Sequence, residues 1–538
     1  MSIMHDERAN LELPPATVKG FIEDGEELAL LDVREEGEFA RGHLLFACSS
    51  PLSRLELVAD ALVPRRETRV IVIDGDGGTL GRRAANRLSE LGWKNVAVLK
   101  GGVEAWRQAG YEVFSGVNVP SKAFGEFVEH EYGTPHIEPA ELKRRRDAGE
   151  EVIVLDSRPL AEFEAMSIPG GIDCPGAELV YRVHDLVKSP RTLVVVNCAG
   201  RTRSIIGAQS LINAGLENPV MALKDGTMGW HLAGFEVARG ATNVAPPPSR
   251  EGLAQARAAA DRVARRFGVR RIDSAGLARF EDEADRFSLY RFDVRSPEEY
   301  RAGHVRGWRS APGGQLVQAT DRYAGTLRSR LVLGDSEGVR APLTASWLIQ
   351  MGWENVFTTE IPFEGGAVET GPEPVRVLGE TVPIATIDAK RLETALGRGE
   401  AVVLDFATSL RYRAGHIAGA WWVIRSRLEQ ALERVPQTGT IVATSPDGVV
   451  ARLAVADLRK ITDRPVALLN GGSAAWRDAG LPMATGTERM ADEPIDVWYR
   501  PYDEAGPVEA AMRTYLAWEV ELPDQIKRDG TARFRVFR

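Results

Sequence analysis

One pattern of residues, repeated four times along the chain, limits what this sequence can fold into. Each copy opens with an apolar run that ends in an acidic residue, and these residues are Asp32, Asp156, Asp293 and Asp405. A second β-rich run then enters a short glycine-containing loop and an alanine- and leucine-rich helical stretch. Strands that alternate with helices indicate parallel sheets with helices on both faces. The repeats therefore predict an α/β fold of four tandem units.

The segments between the repeats set the boundaries of the predicted units. We expect units at residues 12–117, 134–241, 250–372 and 384–487, followed by a C-terminal extension at 488–538. Proline and glycine are frequent in the segments between them, as is typical of exposed connections. The stretch before the third repeat has the spacing of an amphipathic helix, so it is included in that unit. The extension is predicted to be helical and to pack its aromatic side chains on a neighbouring unit.

Composition excludes several classes of protein. The formal charge is −9 and no long basic run is present, which argues against nucleic acid as a partner. No apolar run is long enough to span a bilayer, and the first residues lack the pattern of a secretory signal. The three cysteines are too far apart in the sequence to form a CxxC metal pair. We therefore expect a cytoplasmic protein that binds neither membrane nor nucleic acid, with its oligomeric state left open.

Several motifs resemble those of the rhodanese family. They are the LxDxR opening, a Gly-His pair in units one, three and four, the strand–loop–helix, and a Gly-Gly-x-x-Ala-Trp ending. The resemblance covers about residues 12–487. It implies five-stranded parallel sheets, with the active loop at the carboxyl edge of a central strand, and it implies sulfur transfer as the activity.

The loop of the second unit carries a cysteine and is the candidate active site. It reads Cys198-Ala199-Gly200-Arg201-Thr202-Arg203, directly before a helix that begins near Ser204. A cysteine at a strand end, facing backbone N–H groups at a helix N-terminus, lies in a field that favours the thiolate. Cys198 is therefore the predicted nucleophile. It would take sulfur from thiosulfate or a similar small anionic donor as a persulfide, and pass it to a thiol or cyanide acceptor. We expect no separate cofactor and no metal.

The remaining loop residues are predicted to bind the donor. Arg201 and Arg203 bring positive charge, and a guanidinium group suits a sulfonate or carboxylate, with Arg203 the stronger candidate. Thr202 and Ser204 offer hydroxyl groups that either contact the donor or cap the helix. Thiosulfate, mercaptopyruvate and glutathione persulfide all remain open as donors.

Loop length and loop sequence narrow the chemistry further. Cys198 and Arg203 have four residues between them, whereas phosphatases with a related loop have one more, so phosphatase activity is the weaker reading. The corresponding loops of the other units begin at Gly75, Asp335 and Ser445, and none contains cysteine. We therefore expect units one, three and four to be inactive.

Other notable residues have simpler interpretations. Asp156 and Arg158 are predicted to form a structural pair close to the site. Cys48 is interpreted as a core residue, and Cys174 as either a core residue or a resolving thiol. The residues His43, His304 and His416 are expected to bond to the backbone at turns.

The leading hypothesis from the sequence is a thiosulfate-type sulfurtransferase. Because three of the four loops lack cysteine, a second hypothesis is a partner-binding scaffold. Its remaining cysteine would then act as a redox or persulfide sensor.

Overall fold

The computed structural model describes residues 11–361, 368–379, 383–503 and 506–537. Small parts of the predicted third unit and of the C-terminal extension lie outside these ranges. Within them, the chain forms alternating strands and helices in the predicted repeat, which confirms the α/β fold.

The sheet of the second unit has five parallel strands. In spatial order they are His136–Ile137, Val220–Leu223, Leu193–Asn197, Val152–Asp156 and Ile172–Asp173. The strand that leads to Cys198 is therefore central, and all five of its residues are buried. Its valine-rich sequence fits a strand covered on both faces. Parallel strands place their carboxyl ends at one edge, where the loop of Cys198 lies.

The other three units repeat this strand order. In the first unit the strands are Glu12–Leu13, Asn95–Leu99, Arg69–Ile73, Leu28–Asp32 and Cys48–Ser49. In the third they are Arg270–Arg271, Val356–Glu360, Arg330–Asp335, Leu289–Asp293 and Arg309–Ser310. In the fourth they are Thr386–Ile387, Val466–Leu469, Thr440–Thr444, Ala401–Asp405 and Trp421–Trp422.

Helices cover both faces of each sheet. The first unit has Pro15–Glu23, Glu36–Phe39, Leu55–Leu62, Thr79–Glu90 and Gly102–Gln108. The second has Pro139–Asp147, Leu160–Ala165, Leu179–Arg182, Thr202–Asn213 and Gly226–Leu232. The third has Ser274–Asp282, Pro297–Ala302, Gly313–Gln318, Thr320–Tyr323 and Arg340–Gln350. The fourth has Ala389–Gly397, Ser409–Ala414, Leu428–Arg434, Val449–Ile461 and Gly472–Asp478. No helix in the described ranges is long and apolar enough to cross a membrane.

Longer helices connect the units. Val119–Tyr132 joins the first two units, and Arg250–Phe267 precedes the third. The latter is the predicted amphipathic helix: it buries Ala256, Val263 and other residues of one face. The C-terminal helix, Val508–Asp529, packs on Val119–Tyr132, so the prediction of a helical extension that packs on its neighbours is confirmed.

The first and third units share a sheet. The strand Thr326–Leu327 of the third unit pairs antiparallel with the first two residues of Leu28–Asp32. The strand Cys48–Ser49 covers only the other end of Leu28–Asp32. The short strand from the third unit thus satisfies backbone groups that an open edge would leave unpaired. The two units are therefore not independent, which the boundaries drawn from the sequence did not anticipate.

The three turn histidines form the predicted backbone contacts. Ring Nδ1 of His43 lies 2.8 Å from the carbonyl oxygen of Leu44. Ring Nδ1 of His304 lies 2.9 Å from that of Tyr300, and ring Nδ1 of His416 lies 2.7 Å from that of Tyr412. Each ring also stacks on an aromatic side chain four residues earlier. These contacts are structural and occur only in units without a loop cysteine.

Candidate active site

Cys198 lies between the central strand Leu193–Asn197 and the helix Thr202–Asn213, as the sequence predicts. The residue is only 2% exposed. Its Sγ accepts a hydrogen bond of 3.1 Å from Ser204 Oγ, on the first turn of the helix. The Ser204 hydroxyl therefore contacts the nucleophile itself, a role not predicted from the sequence, and its contact with the donor stays a prediction.

The loop is held in place by the helix Gly226–Leu232. The amides of Thr227 and Met228 donate to the carbonyls of Cys198 and Ala199, at 2.8 and 2.9 Å. Gly226 has φ of 55°, and a Cβ there would lie 2.5 Å from the Cys198 carbonyl oxygen. Only glycine permits this close approach. The loop carbonyls of Cys198 and Ala199 are therefore bonded to this helix, which fixes the loop in one conformation.

The third unit shows where the amides of such a loop point. Asp335 occupies the position equivalent to Cys198, because Gly334 pairs with Asp293 in the register in which Asn197 pairs with Asp156. The Asp335 carboxylate accepts four backbone amides, those of Gly338, Val339, Arg340 and Ala341, at 2.6–3.2 Å. The loop amides thus converge on the side chain at the position equivalent to Cys198. A helix N-terminus naturally provides such unpaired N–H groups.

The first unit corrects one assignment made from the sequence. Ile73 pairs with Asp32, so the residue at the cysteine position is Asp74 and not Gly75. Asp74 accepts the amides of Gly77 and Gly81 at 2.7 and 3.0 Å. The run of glycines obscured the end of the strand in the sequence. The conclusion that this loop lacks a thiol is unchanged.

Asp156 and Arg158 form the predicted structural pair. Arg158 donates to both carboxylate oxygens of Asp156, at 2.8 and 2.7 Å, and to the Met166 carbonyl at 2.7 Å. Asn197 Nδ2 also donates to Asp156 at 2.7 Å. The pair joins the strand end to the following turn, beneath the loop.

Carboxylates engage both arginines of the loop. Arg201 contacts Glu126 through two bonds of 2.7 Å, Glu129 at 2.5 Å and Asp225 at 3.1 Å. Arg203 makes a two-point contact with Glu162 at 3.0 and 2.8 Å. Although burial favours the neutral acid, the charge and hydrogen bonds of Arg203 hold the pKa of Glu162 at about 2.

The pair of Arg203 and Glu162 recurs where there is no cysteine. In the third unit, Arg340 makes the same two-point contact with Glu299 at 2.5 and 3.0 Å. Because the same contact occurs in the third unit, whose loop has Asp335 in place of the cysteine, the ion pair has a structural explanation that requires no donor. The contacts of Arg203 therefore do not require a donor, and its role in donor binding stays a prediction. They show an ion pair that fixes the helix beside the loop.

Thr202 does not cap the helix through its side chain, and its contact with the donor stays a prediction. Its Oγ1 is buried and has no hydrogen-bond partner in the described part of the chain. No side chain caps the helix Thr202–Asn213 at its N-terminus. Its methyl group instead packs toward Gly125, where a Cβ would lie only 2.8 Å away.

The C-terminal helix covers the loop. Met512 and Leu516 are buried in one apolar cluster with Ala199, Met166 and Met228. A Cβ at Gly200 would lie 3.6 Å from Leu516 Cδ2 and 3.1 Å from Glu519 Oε2. The helix therefore sits directly on the loop that carries Cys198.

A buried polar cluster joins this helix to the helix Val119–Tyr132. Lys122 Nζ donates to Tyr515 Oη and, at 3.1 Å, to Glu519 Oε1, and Tyr515 Oη donates to the same oxygen at 2.8 Å. Burial lowers the pKa of Lys122, and Glu519 opposes that effect. Burial and Glu519 both raise the pKa of Tyr515.

This cluster was not predicted from the sequence. Tyr515 and Glu519 stand four residues apart on an amphipathic segment, which places them on one helix face. That spacing was the available signal. It does not reveal that the face meets the loop of a unit so distant in the sequence.

The other two cysteines are core residues. Cys174 is fully buried, and its amide donates to the Asp156 carbonyl at 2.8 Å. Burial, with Glu178 adding to it, raises the pKa of the Cys174 thiol well above its usual value. Burial likewise raises the pKa of Cys48. Of the two interpretations of Cys174, the structure favours packing, because such a thiol ionises poorly.

Comparison with known proteins agrees with this architecture. The sequence model of the Rhodanese-like domain matches residues 14–109, 138–233 and 388–479. A crystal structure of thiosulfate sulfurtransferase from Pseudomonas aeruginosa is similar over 98% of this chain and 100% of that chain. It has 49% sequence identity to this chain and a TM-score of 0.93.

Two curated proteins are similar over shorter stretches. An HTH-type transcriptional regulator of Mycobacterium tuberculosis is 39% identical over 111 residues, which is 20% of this chain and 48% of that protein. An uncharacterized Synechocystis protein is 30% identical over 113 residues, 21% of this chain and 61% of that protein. The chain thus spans only about half to three-fifths of these relatives. Together with the repeated sheets, the match in three places shows that the chain belongs to the rhodanese family.

Proposed function

We propose that this protein is a sulfurtransferase that carries sulfur as a persulfide on Cys198. The similarity to a thiosulfate sulfurtransferase along the whole chain supports this activity and favours thiosulfate as the donor. The observation that carries the proposal is the position of Cys198. In the third unit, the side chain at that position is the Asp335 carboxylate, and backbone amides surround it. The position therefore suits a negatively charged group.

The proposed reaction has two steps. The Cys198 thiolate attacks the outer sulfur of thiosulfate, the sulfur–sulfur bond breaks, and sulfite leaves with the electron pair. The loop amides stabilise the negative charge on the terminal sulfur of the persulfide. An acceptor nucleophile then attacks that sulfur, and Cys198 leaves as the thiolate. The resident groups act as hydrogen-bond donors, so the mechanism uses no cofactor other than the covalent intermediate.

The other three loops are proposed to be inactive in sulfur transfer. Asp74 and Asp335 fill their loops with a carboxylate, which would repel an anionic donor. Ser445 occupies the fourth position and accepts the Ala451 amide at 3.4 Å. A hydroxyl lacks the polarisable sulfur that the chemistry requires. These units would then support the second one structurally.

Single-turnover mass spectrometry tests the proposal. Incubation with thiosulfate should add about 32 Da to the peptide of Cys198, and cyanide should remove it with formation of thiocyanate. Cys198→Ser should abolish both steps, whereas the matched control Cys174→Ser should retain them if it folds. Sulfur on the Cys174 or Cys48 peptide, or thiocyanate formation by Cys198→Ser, would refute the assignment.

The burial of Cys198 supports one alternative function, that of a persulfide sensor. A thiol that is 2% exposed beneath a helix could accept sulfur and release it slowly. The two functions differ in rate. An enzyme should return to the free thiol within seconds in the presence of acceptor, whereas a sensor should remain persulfidated after the donor is removed.

A further inference from the structure

We propose that Glu519 accepts the proton of a thiol acceptor during the second step. This inference rests on the proposed sulfurtransferase function and adds a catalytic residue to it. It also selects a class of acceptor: a molecule that must lose a proton in order to attack the persulfide.

The first support is an unpartnered oxygen. Glu519 is 2% exposed, and its Oε2 is buried with no hydrogen-bond partner among residues 11–361, 368–379, 383–503 and 506–537. A buried carboxylate oxygen without a donor is costly, so its presence calls for an explanation. This oxygen would lie 3.1 Å from a Cβ on Gly200, two residues from Cys198. It therefore faces the loop on the side that the C-terminal helix covers.

The second support is the way in which the rest of the carboxylate is held. Oε1 receives both Lys122 Nζ and Tyr515 Oη, which fixes the orientation of the side chain. The Lys122 ammonium balances the negative charge. One oxygen is thus anchored by two donors, while the other is buried and has no donor among the described residues.

The third support comes from the other acids around the loop. Glu126 and Glu162 each use both oxygens to bind Arg201 or Arg203. Their lone pairs are committed to ion pairs that fix the loop. The other acids that bind Arg201 are partly exposed to solvent. In the described part of the site, Glu519 is the acid beside the loop whose unpartnered oxygen is buried.

The proton transfer balances as follows. The S–H of the acceptor donates to Glu519 Oε2, and the acceptor sulfur attacks the terminal sulfur of the Cys198 persulfide. The sulfur–sulfur bond to Cys198 breaks, and Cys198 leaves as the thiolate. The acceptor becomes a persulfide, and the proton stays on Glu519 until it exchanges with solvent. No oxidant or reductant is required.

The expected size of the effect follows from the ionisation of the acceptor. A simple thiol has a pKa of about 8.5, so at pH 7 only about 3% of it is thiolate. Accepting the proton at the site can therefore accelerate the step by up to about 30-fold at pH 7, because the un-ionised majority becomes competent. A water-soluble triarylphosphine, whose phosphorus carries no proton at neutral pH, removes the outer sulfur as the phosphine sulfide, so it has no proton to give and gains nothing from this group.

The experiment compares two acceptors on the preformed persulfide of the full-length protein. Glu519→Gln should lower the ratio of the rate with a simple thiol to the rate with the triarylphosphine by at least about tenfold at pH 7. Glu521→Gln, on the exposed face of the same helix, is the matched control and should keep the ratio of the unaltered protein. An unchanged ratio in Glu519→Gln would overturn the inference.

A pH profile of the unaltered protein provides a second test that needs no variant. If Glu519 accepts the proton, the rate with thiol should vary by less than about threefold between about pH 6 and pH 8. Dependence on preformed thiolate would instead raise the rate about tenfold per pH unit, and that result contradicts the inference. Failure of the unaltered protein to form a persulfide with thiosulfate would instead refute the proposed function.

Discussion

Replacing the ion pair of Arg203 and Glu162 by neutral side chains separates a structural role from donor binding. We consider Arg203→Met, Glu162→Gln and the double variant. Each single variant leaves one charge buried without its partner, whereas the double variant removes both. If the pair only fixes the helix, the double variant should bind thiosulfate about as well as the unaltered protein. Its KM should change by less than about threefold.

The magnitude follows from the pKa of Glu162. A value of about 2, against 4.5 for the free side chain, corresponds to about 3 kcal/mol of stabilisation. The side chains of Arg203 and Glu162 are 13% and 19% exposed, so solvent screening makes this an upper value. Because the pKa is lower in the folded state, the stabilisation is complete above about pH 4.5. It is lost as the pH falls from 4.5 towards 2.

A local assay is needed because a chain of four units does not unfold in one step. The accessibility of Cys198 to a thiol reagent in increasing urea, measured on its peptide by mass spectrometry, reports the second unit alone. At pH 7 the double-mutant cycle should give a coupling of about 2–3 kcal/mol. A coupling near zero would refute the structural explanation. So would a KM for thiosulfate that rises as much in the double variant as in Arg203→Met, since that would assign Arg203 to the donor.

Two further predictions concern the loop and its cover. Asp335→Cys in a Cys198→Ser background should gain about 32 Da from thiosulfate on the introduced thiol, because the loop amides of the third unit already converge there; no gain would mean that amides alone do not suffice. Leu516→Ala should increase the alkylation rate of Cys198 by iodoacetamide several-fold, since the removed carbons uncover the loop. Val520→Ala, at a residue that is 55% exposed, is its control, and equal rates in the two variants would show that the helix does not limit access.

The local sequence pattern was enough to predict the repeated strand–loop–helix unit and the position of Cys198 in it. A strand, a loop and a helix are adjacent in the sequence, so their geometry follows from neighbouring residues. The same holds for Asp156 and Arg158, which stand two positions apart and pair as expected. The misplacement of the first loop at Gly75 is the exception. Glycines there hide where the strand ends, and only the pairing of Ile73 with Asp32 identifies Asp74.

The surroundings of the site could not be predicted because they depend on distant segments. Glu126 reaches Arg201 from the helix between the first two units. Lys122 and Glu519 are 397 positions apart, yet their side chains are in contact. Whether an arginine is free or neutralised depends on such contacts. The sequence therefore predicted Cys198 and the arginines beside it, but not the carboxylates that bind those arginines.

The strand Thr326–Leu327 has a consequence for how the protein tolerates breaks in its backbone. This strand of the third unit is hydrogen-bonded to the strand Leu28–Asp32 of the first unit. A protease that cuts the exposed connections should therefore not release the first unit as a separate fragment. The nicked pieces should migrate together under native conditions and part only in denaturant. The pairing thus gives the first and third units a structural role that does not depend on a cysteine in their loops.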